Sequence, residues 1–281
     1  MKMRVWLFLL LLAVAGTAGA QSAREMRKQV EASMLVTGHV DVDRQGHVTA
    51  HALDQVEQLP PYVVDFVSGA IPALRFEPIV MDGEPVLARA KMTLRLVARN
   101  IGDDLQISIR SAHFGDEDAG DDTGRVRSAK LTPPRYPANV LRAGGQGTVY
   151  LIVKVGRDGS PEDVVVEQTN LTVLRSGREM ESIRSSLERA ALGAARDWRF
   201  TPPTTGESVG DSYWPLRVPV AFSIDDRREP RYGEWVAYHP GPRVRPDWTQ
   251  EDAPGFSPDL LAAGGTYQTE SRFRLLTPLG G

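Results

Sequence analysis

Apolar positions pass through the same succession of periods twice along the chain. Val36, Val40 and Val42 recur at even steps before a turn at Arg44–Gly46, and Val48, Ala50 and Ala52 answer them after it, which predicts two paired strands. Pro60 and Pro61 suit a helix start, Val63, Phe66, Val67 and Ala70 share one helical face, and Pro72 stops it. "ARAKMTLRLVA" (88–98) then alternates as a strand. In the second half "GTVYLIVKV" (147–155) and "SPEDVVVEQT" (160–169) turn at Arg157–Gly159. Ile183, Leu187, Ala191, Ala194 and Trp198 follow at steps of three or four, and "WPLRVPVAFSI" (Trp214–Ile224) closes as a strand. Strand, strand, helix, strand thus occurs twice, an α+β pattern of two small domains.

The same junction, helix into last strand, carries nearly the same five residues in both halves: "LRFEP" at Leu74–Pro78 and "WRFTP" at Trp198–Pro202. Each aromatic ring is expected under its sheet, and each proline ends helical pairing. Arg75 and Arg199 are expected to lay their stems over the core edge and bond the last helix carbonyls, where a cation is favoured. A ligand-binding role for the two arginines is the alternative.

Other stretches lack a usable period. Residues 21–35 are polar and read as at most a brief helix. Residues 100–130 read as a linker, with five acids in the twelve residues "HFGDEDAGDDTG". After Ile224 the chain becomes rich in Pro, Gly, Arg and aromatics, consistent with an extended strap held by Tyr232, Trp235, Tyr238 and Trp248 or with disorder. At the start, Lys2 and Arg4 precede the apolar run Val5–Ala15, and "AGA" at Ala18–Ala20 offers a cut before Gln21. Residues 1–20 therefore read as an export signal. A retained membrane anchor is the alternative, although the run is short of the roughly 17–25 residues a spanning helix needs.

Composition narrows the function. The formal charge of -3 gives no basic field for nucleic acid. The absence of cysteine removes disulfides, thiol nucleophiles and thiolate metal sites.

"PPRYPANVLRAGGQGTVYLIVKVGRDGSPEDVVVEQT", then "AALGAARDWRFTPP", then "RVPVAFSI", resembles the TonB C-terminal domain family. The shared features are Tyr-Pro ahead of a short helix, a Gly-x-Gly entry to the first strand and an Asp-Gly turn. A helix ending in Trp-Arg-aromatic-x-Pro and a terminal apolar strand complete the set. The resemblance covers about residues 131–225; residues 21–99 look like a divergent copy, and 226–281 remain as the tail. It implies, for each module, a three-stranded antiparallel sheet with helices packed on one face. It also implies a periplasmic protein that pairs an edge strand with a segment of an outer-membrane receptor or another envelope protein. The residues expected at that contact are Tyr136 and Pro137, which match the family's Tyr-Pro segment, and Leu216, Val218, Val220 and Phe222 of the closing strand. Pro219 marks that strand as an edge, because proline supplies no ladder donor; edge pairing also allows a homodimer. The alternative that the resemblance brings is an energy transducer anchored in the inner membrane, although the apolar segment carries no His and no Pro-rich spacer follows it.

Chemistry beyond binding finds little purchase. With a loop at Arg44–Gly46, His39 would face His51 and Asp41 would face Thr49, so that His39, His47, His51, Asp41 and Asp43 share one face able to hold zinc or copper. The other reading is a solvated sheet face. "AGGQGTVY" lacks the Lys-Ser/Thr of a phosphate loop, and "GDSYW" is not a nucleophile elbow. No acid/base pair emerges, so the expectation is a binding protein without catalysis or cofactor.

Overall fold

A long strand organises the first sheet of the computed structural model, which describes residues 31–81, 83–101, 104–115, 123–173, 175–224, 231–269 and 271–279. Expectations for the export signal and for residues 21–30 lie outside these residues. Strand β1 (Glu31–Val42) pairs along its whole length with β5 (Ala88–Ile101), from Ala32 opposite Ala98 to Val42 opposite Ala88. Strand β2 (Val48–Leu53) folds back on the end of β1, and β6 (Asp104–Gly115) pairs with the other side of β5. Helix α1 (Pro61–Ala70) begins with proline at its first position, buries Val63 and Val67, and packs on the face formed by Val36, Val40, Met92, Leu94 and Leu96. A small hairpin, β3 (Val80–Met81) with β4 (Glu84–Pro85), precedes β5.

Two expectations are corrected here. Residues 31–35 open β1 instead of ending a helix. Most of the described part of 100–130 is also not linker, because β6 fills Asp104–Gly115 and β7 (Arg127–Lys130) follows. A bulge explains why β6 escapes a reading of periods. Ile109 lies opposite Leu96 and Ser111 opposite Arg95, so Arg110 is an extra residue, and burial switches from Ile109 to Ala112 and Phe114. The first sheet is accordingly five-stranded, with a tail strand as its fifth member.

The second sheet is four-stranded where three strands were expected: β8 (Gly147–Gly156), β9 (Pro161–Leu171) and β11 (Tyr213–Phe222), with β13 (Tyr267–Gln268) of the tail outside β11. The short helix α2 (Ala138–Arg142) and the longer α3 (Gly177–Ala195) accompany it. Ser176 and Glu179 close a reciprocal capping box at the start of α3, satisfying two donors that the first turn leaves unpaired. Met180, Ile183, Leu187, Ala191 and Ala195 point inward from α3, and Trp198 and Phe200 extend that core. The inward turn at the end of the helix is made by Ala195 where the period pointed to Ala194.

The repeated Arg-Phe junction has a concrete geometry. The Phe76 N–H donates to the Gly46 carbonyl at 2.8 Å, and the Phe200 N–H to the Gly159 carbonyl at 2.9 Å. Both glycines have positive φ, 85° and 77°, and an added Cβ would collide with the Phe76 or the Phe200 carbonyl oxygen. Each phenylalanine is buried. Arg75 donates to the carbonyls of Pro72 and Leu74, and Arg199 to that of Trp198. The motif ties the end of a helix to the tip of a hairpin. On its far side the second copy, β10 (Arg199–Thr201), pairs with β7, while Phe76 pairs with Leu275.

The tail is extended and crosses both sheets. Thr37 N–H donates to the Tyr232 hydroxyl at 2.9 Å, and Trp235 donates to the Tyr62 hydroxyl at 3.0 Å. Strand β12 (Val236–Tyr238) then pairs with the start of β1. His239 bridges to Leu171 of the second sheet, and Val244 N–H donates to the Glu167 carbonyl at 2.8 Å. Trp248 donates to Asp163 and meets the Tyr213 ring edge-on. A single 3-10 turn, Pro258–Leu260, leads to β13 (Tyr267–Gln268), after which Phe273 and Leu275 enter the first core.

Candidate functional site

Strand β11 is the element on which the expected contact rests, and its alternation decides what it can offer. Leu216, Val218, Val220 and Phe222 are 0%, 2%, 8% and 4% exposed, packed beneath α3 against Val149, Leu151 and Val153. Their side chains are core, so what these residues can offer a partner is the backbone they hold in place. The same apolar period that identifies the strand buries these side chains.

The backbone of β11 has two edges. One pairs residue by residue with β8, from Tyr213 opposite Gly156 to Phe222 opposite Gly147. On the other, the Pro219 carbonyl accepts from the Gly264 N–H at 3.1 Å. In an antiparallel ladder alternate residues turn both backbone groups to the same side. Tyr213, Pro215, Arg217, Pro219 and Ala221 therefore face outward. Pro215 and Pro219 lack a donor exactly where none is needed for β8, so the outer edge carries N–H groups only at Tyr213, Arg217 and Ala221. Strand β13 already occupies part of that edge, with Leu216 opposite Gln268 and Arg217 opposite Tyr267.

Tyr136 and Pro137 brace one end of the strand. The Tyr136 ring meets Phe222 edge-on, with centroids 5.6 Å apart and planes at 87°, and its hydroxyl donates to the Gly145 carbonyl. Partial burial raises the pKa of that hydroxyl. Pro137 stands at the N-cap of α2. The structure thus brings Tyr136 to Phe222, at the end of the edge remote from β13.

Behind the edge lies a buried ionic network that the sequence reading missed. Arg217 is 2% exposed and donates to both oxygens of Glu167, at 2.7 and 3.2 Å, and Glu167 is fully buried. Arg243 of the tail donates to Glu167 Oε1 at 2.6 Å, and Asp252 of the tail accepts from both arginines. The Arg217 guanidinium also lies 4.4 Å from the centroid of Phe256. A second clasp joins the sheets: Arg95 of β5 pairs with Asp259, which also accepts from Tyr238 and from Asn170 of β9. Burial first, and the Asp259 charge second, raise the pKa of both Tyr150 and Tyr238. A lone Arg or Glu at a strand position was the only signal of these partners, and 50 residues separate Arg217 from Glu167.

The first hairpin does not assemble the metal face raised as an alternative. A bulge at Asp41/Val42 puts His39 opposite Ala52, and His51 opposite Val40. Arg89 holds both oxygens of Asp41, and Asp43 accepts from the turn amides of Gln45 and His47. These bonds lower the pKa of both carboxylates. Among the described residues no group of three or more His, Cys, Asp or Glu could hold a metal ion.

The site is an antiparallel sheet backed by α3 whose strand β11 carries Pro215 and Pro219 on the side away from β8. The family model described as Gram-negative bacterial TonB protein C-terminal matches residues 132–224, and that segment belongs to the family. "Protein TonB" of Xanthomonas campestris pv. campestris (strain B100) is 37% identical over 101 residues, 36% of this chain and 39% of that protein. "Protein tonB2" of Pseudomonas aeruginosa is 35% identical over 92 residues, 33% of this chain and 29% of that protein. The chain thus spans well under half the length of these relatives. The solution NMR structure of the Pseudomonas aeruginosa TonB CTD aligns with 39% of this chain and 94% of its own, at 21% identity and a TM-score of 0.26. No helix among the described residues is long and apolar enough to cross a membrane.

Proposed function

We propose that this chain is a non-catalytic envelope protein of the TonB type, which engages outer-membrane transport proteins on their periplasmic side. The match of residues 132–224 to the TonB C-terminal family carries this reading. Contact is by strand addition, with an extended partner segment pairing antiparallel to the outer edge of β11 while Tyr136 and Pro137 shape its Phe222 end. Two features support that mode. The outward prolines leave a sparse donor pattern that only a matching segment satisfies, and a strand of the tail already pairs there. Export by residues 1–20 belongs to the same reading. So does an internal duplication, which the matching Phe76–Gly46 and Phe200–Gly159 bonds support.

Ala221→Pro is the direct test, because Ala221 is exposed and turns its N–H outward, away from β8. The variant should fold normally and lose capture of outer-membrane transport proteins from solubilised native envelopes. Capture at the parent level would exclude this edge. Val218→Pro would be uninformative, since Val218 bonds inward and its loss breaks the β8 ladder.

A further inference from the structure

We infer that the tail segment 262–269 is an intramolecular ligand of the β11 edge, and that an outside strand binds by exchanging with it. The inference rests on the edge-pairing reading and adds how that edge is controlled. Three observations carry it. First, the hold is short. Along β11 it shows two opposed residue pairs, Leu216 with Gln268 and Arg217 with Tyr267, and the Gly264 N–H on the Pro219 carbonyl, while off the strand Gln268 Nε2 donates to the Val126 carbonyl at 3.5 Å. Ala221, the next outward donor, lies beyond the reach of β13, so a longer partner can bond where the tail does not.

Second, the segment is anchored on both sides by residues that need not move. Asp259, Leu260 and Leu261 are buried before it, and Phe273 and Leu275 are buried in the first core after it. Such tethering keeps the segment at high effective concentration near the edge and lets it lift without unfolding its anchors. Third, the segment borders space: Tyr267 and Gln268 line a cleft of about 860 Å³ together with Leu35, Thr93 and His113 of the first sheet. The residues from Ala262 to Thr269 are exposed or half-exposed, so lifting them uncovers little apolar surface. Gly264, at φ 82°, and Gly265 start the segment with pliable backbone. A partner therefore meets an edge that is closed but weakly held, and its apparent affinity is reduced by the fraction of chains in the closed form.

The test compares the full chain with Tyr267→Pro, which removes the donor facing Arg217. Hydrogen exchange read by NMR should show the Arg217 amide protected in the parent and the Ala221 amide exchanging fast. In the variant Arg217 should exchange like Ala221, while Leu216 and Val218, bonded to β8, stay protected and report an intact fold. A synthetic peptide of residues 262–269, titrated and followed at the Arg217 and Ala221 amides, should bind the variant about tenfold more tightly than the parent. Arg217 exchanging fast in the parent, or staying protected in the variant, overturns the inference, as does equal peptide affinity. Success in these measurements without capture of any outer-membrane transport protein leaves the exchange standing and removes the receptor reading instead.

Discussion

Glu167→Gln should cost far more than its single atom suggests. Glu167 is fully buried and accepts two bonds from Arg217 and two from Arg243, while Asp252 supplies the other negative charge. Two guanidiniums and two carboxylates balance, and the substitution leaves one positive charge in excess beside Arg217, which is 2% exposed. Breaking a buried pair by removing one partner typically costs about 3–5 kcal/mol, because the remaining charge keeps its desolvation penalty. For a folded unit of this size that corresponds to a fall in Tm of roughly 10 °C. Circular dichroism melts of parent and variant at neutral pH measure it, and repetition in 1 M salt should leave the difference nearly unchanged, since screening barely reaches a buried site. The double change Glu167→Leu with Arg217→Met should recover much of the loss. A Glu167→Gln shift of about 1 kcal/mol or less, or one abolished by salt, would refute a water-excluded network and mark these groups as solvated.

Acid should weaken the fold in a window set by His113, whose edge meets Phe256 of the tail. Burial first, and the nearby Arg217 charge second, lower its pKa from 6.5 to about 4. The unfolded chain then takes up this proton first, so stability falls as pH drops from about 6.5 to about 4, by up to about 3 kcal/mol, and His113→Gln should flatten Tm across that window. The carboxylates whose pKa is lowered, Asp41, Asp43, Asp158 and Glu179, lose their contribution only further down, below their ordinary 3.8–4.5. Gly159→Ala should destabilise by at least about 1 kcal/mol through positive φ and collision with the Phe200 carbonyl, and Gly46→Ala should do the same at Phe76; denaturant melts read both. Ser176→Ala should cost about 1 kcal/mol by opening the α3 capping box, in the same assay.

Much of the fold could be read from period and punctuation. The steps of three and four from Ile183 to Trp198 gave α3, even steps gave β11, the turn at Arg157–Gly159 bounded β8 and β9, and Gly46 and Gly159 gave the hairpin tips. Strand β6 was lost because the bulge at Arg110 reverses its alternation, so that neither half is long enough to stand out. The tail was illegible for a different reason. Its strands are two or three residues long, and what fixes them is the edges and cores they meet, not any period of their own. At the candidate site Pro219 pointed to an edge strand, but in the folded chain β13 lies outside β11 and Gly264 donates to the Pro219 carbonyl. The alternation of Leu216, Val218, Val220 and Phe222 already placed their side chains in the core. The occupant of the edge, about 50 residues downstream, could not be seen without the folded chain.

The most direct measurement places a photo-reactive amino acid at exposed Ala221 and irradiates cells that carry the full chain at its native level. Adducts joining position 221 to periplasm-facing segments of outer-membrane transport proteins are the predicted result. If position 221 yields adducts only with other proteins, or none, while the chain remains folded, the outer edge of β11 is not where this protein meets its partner.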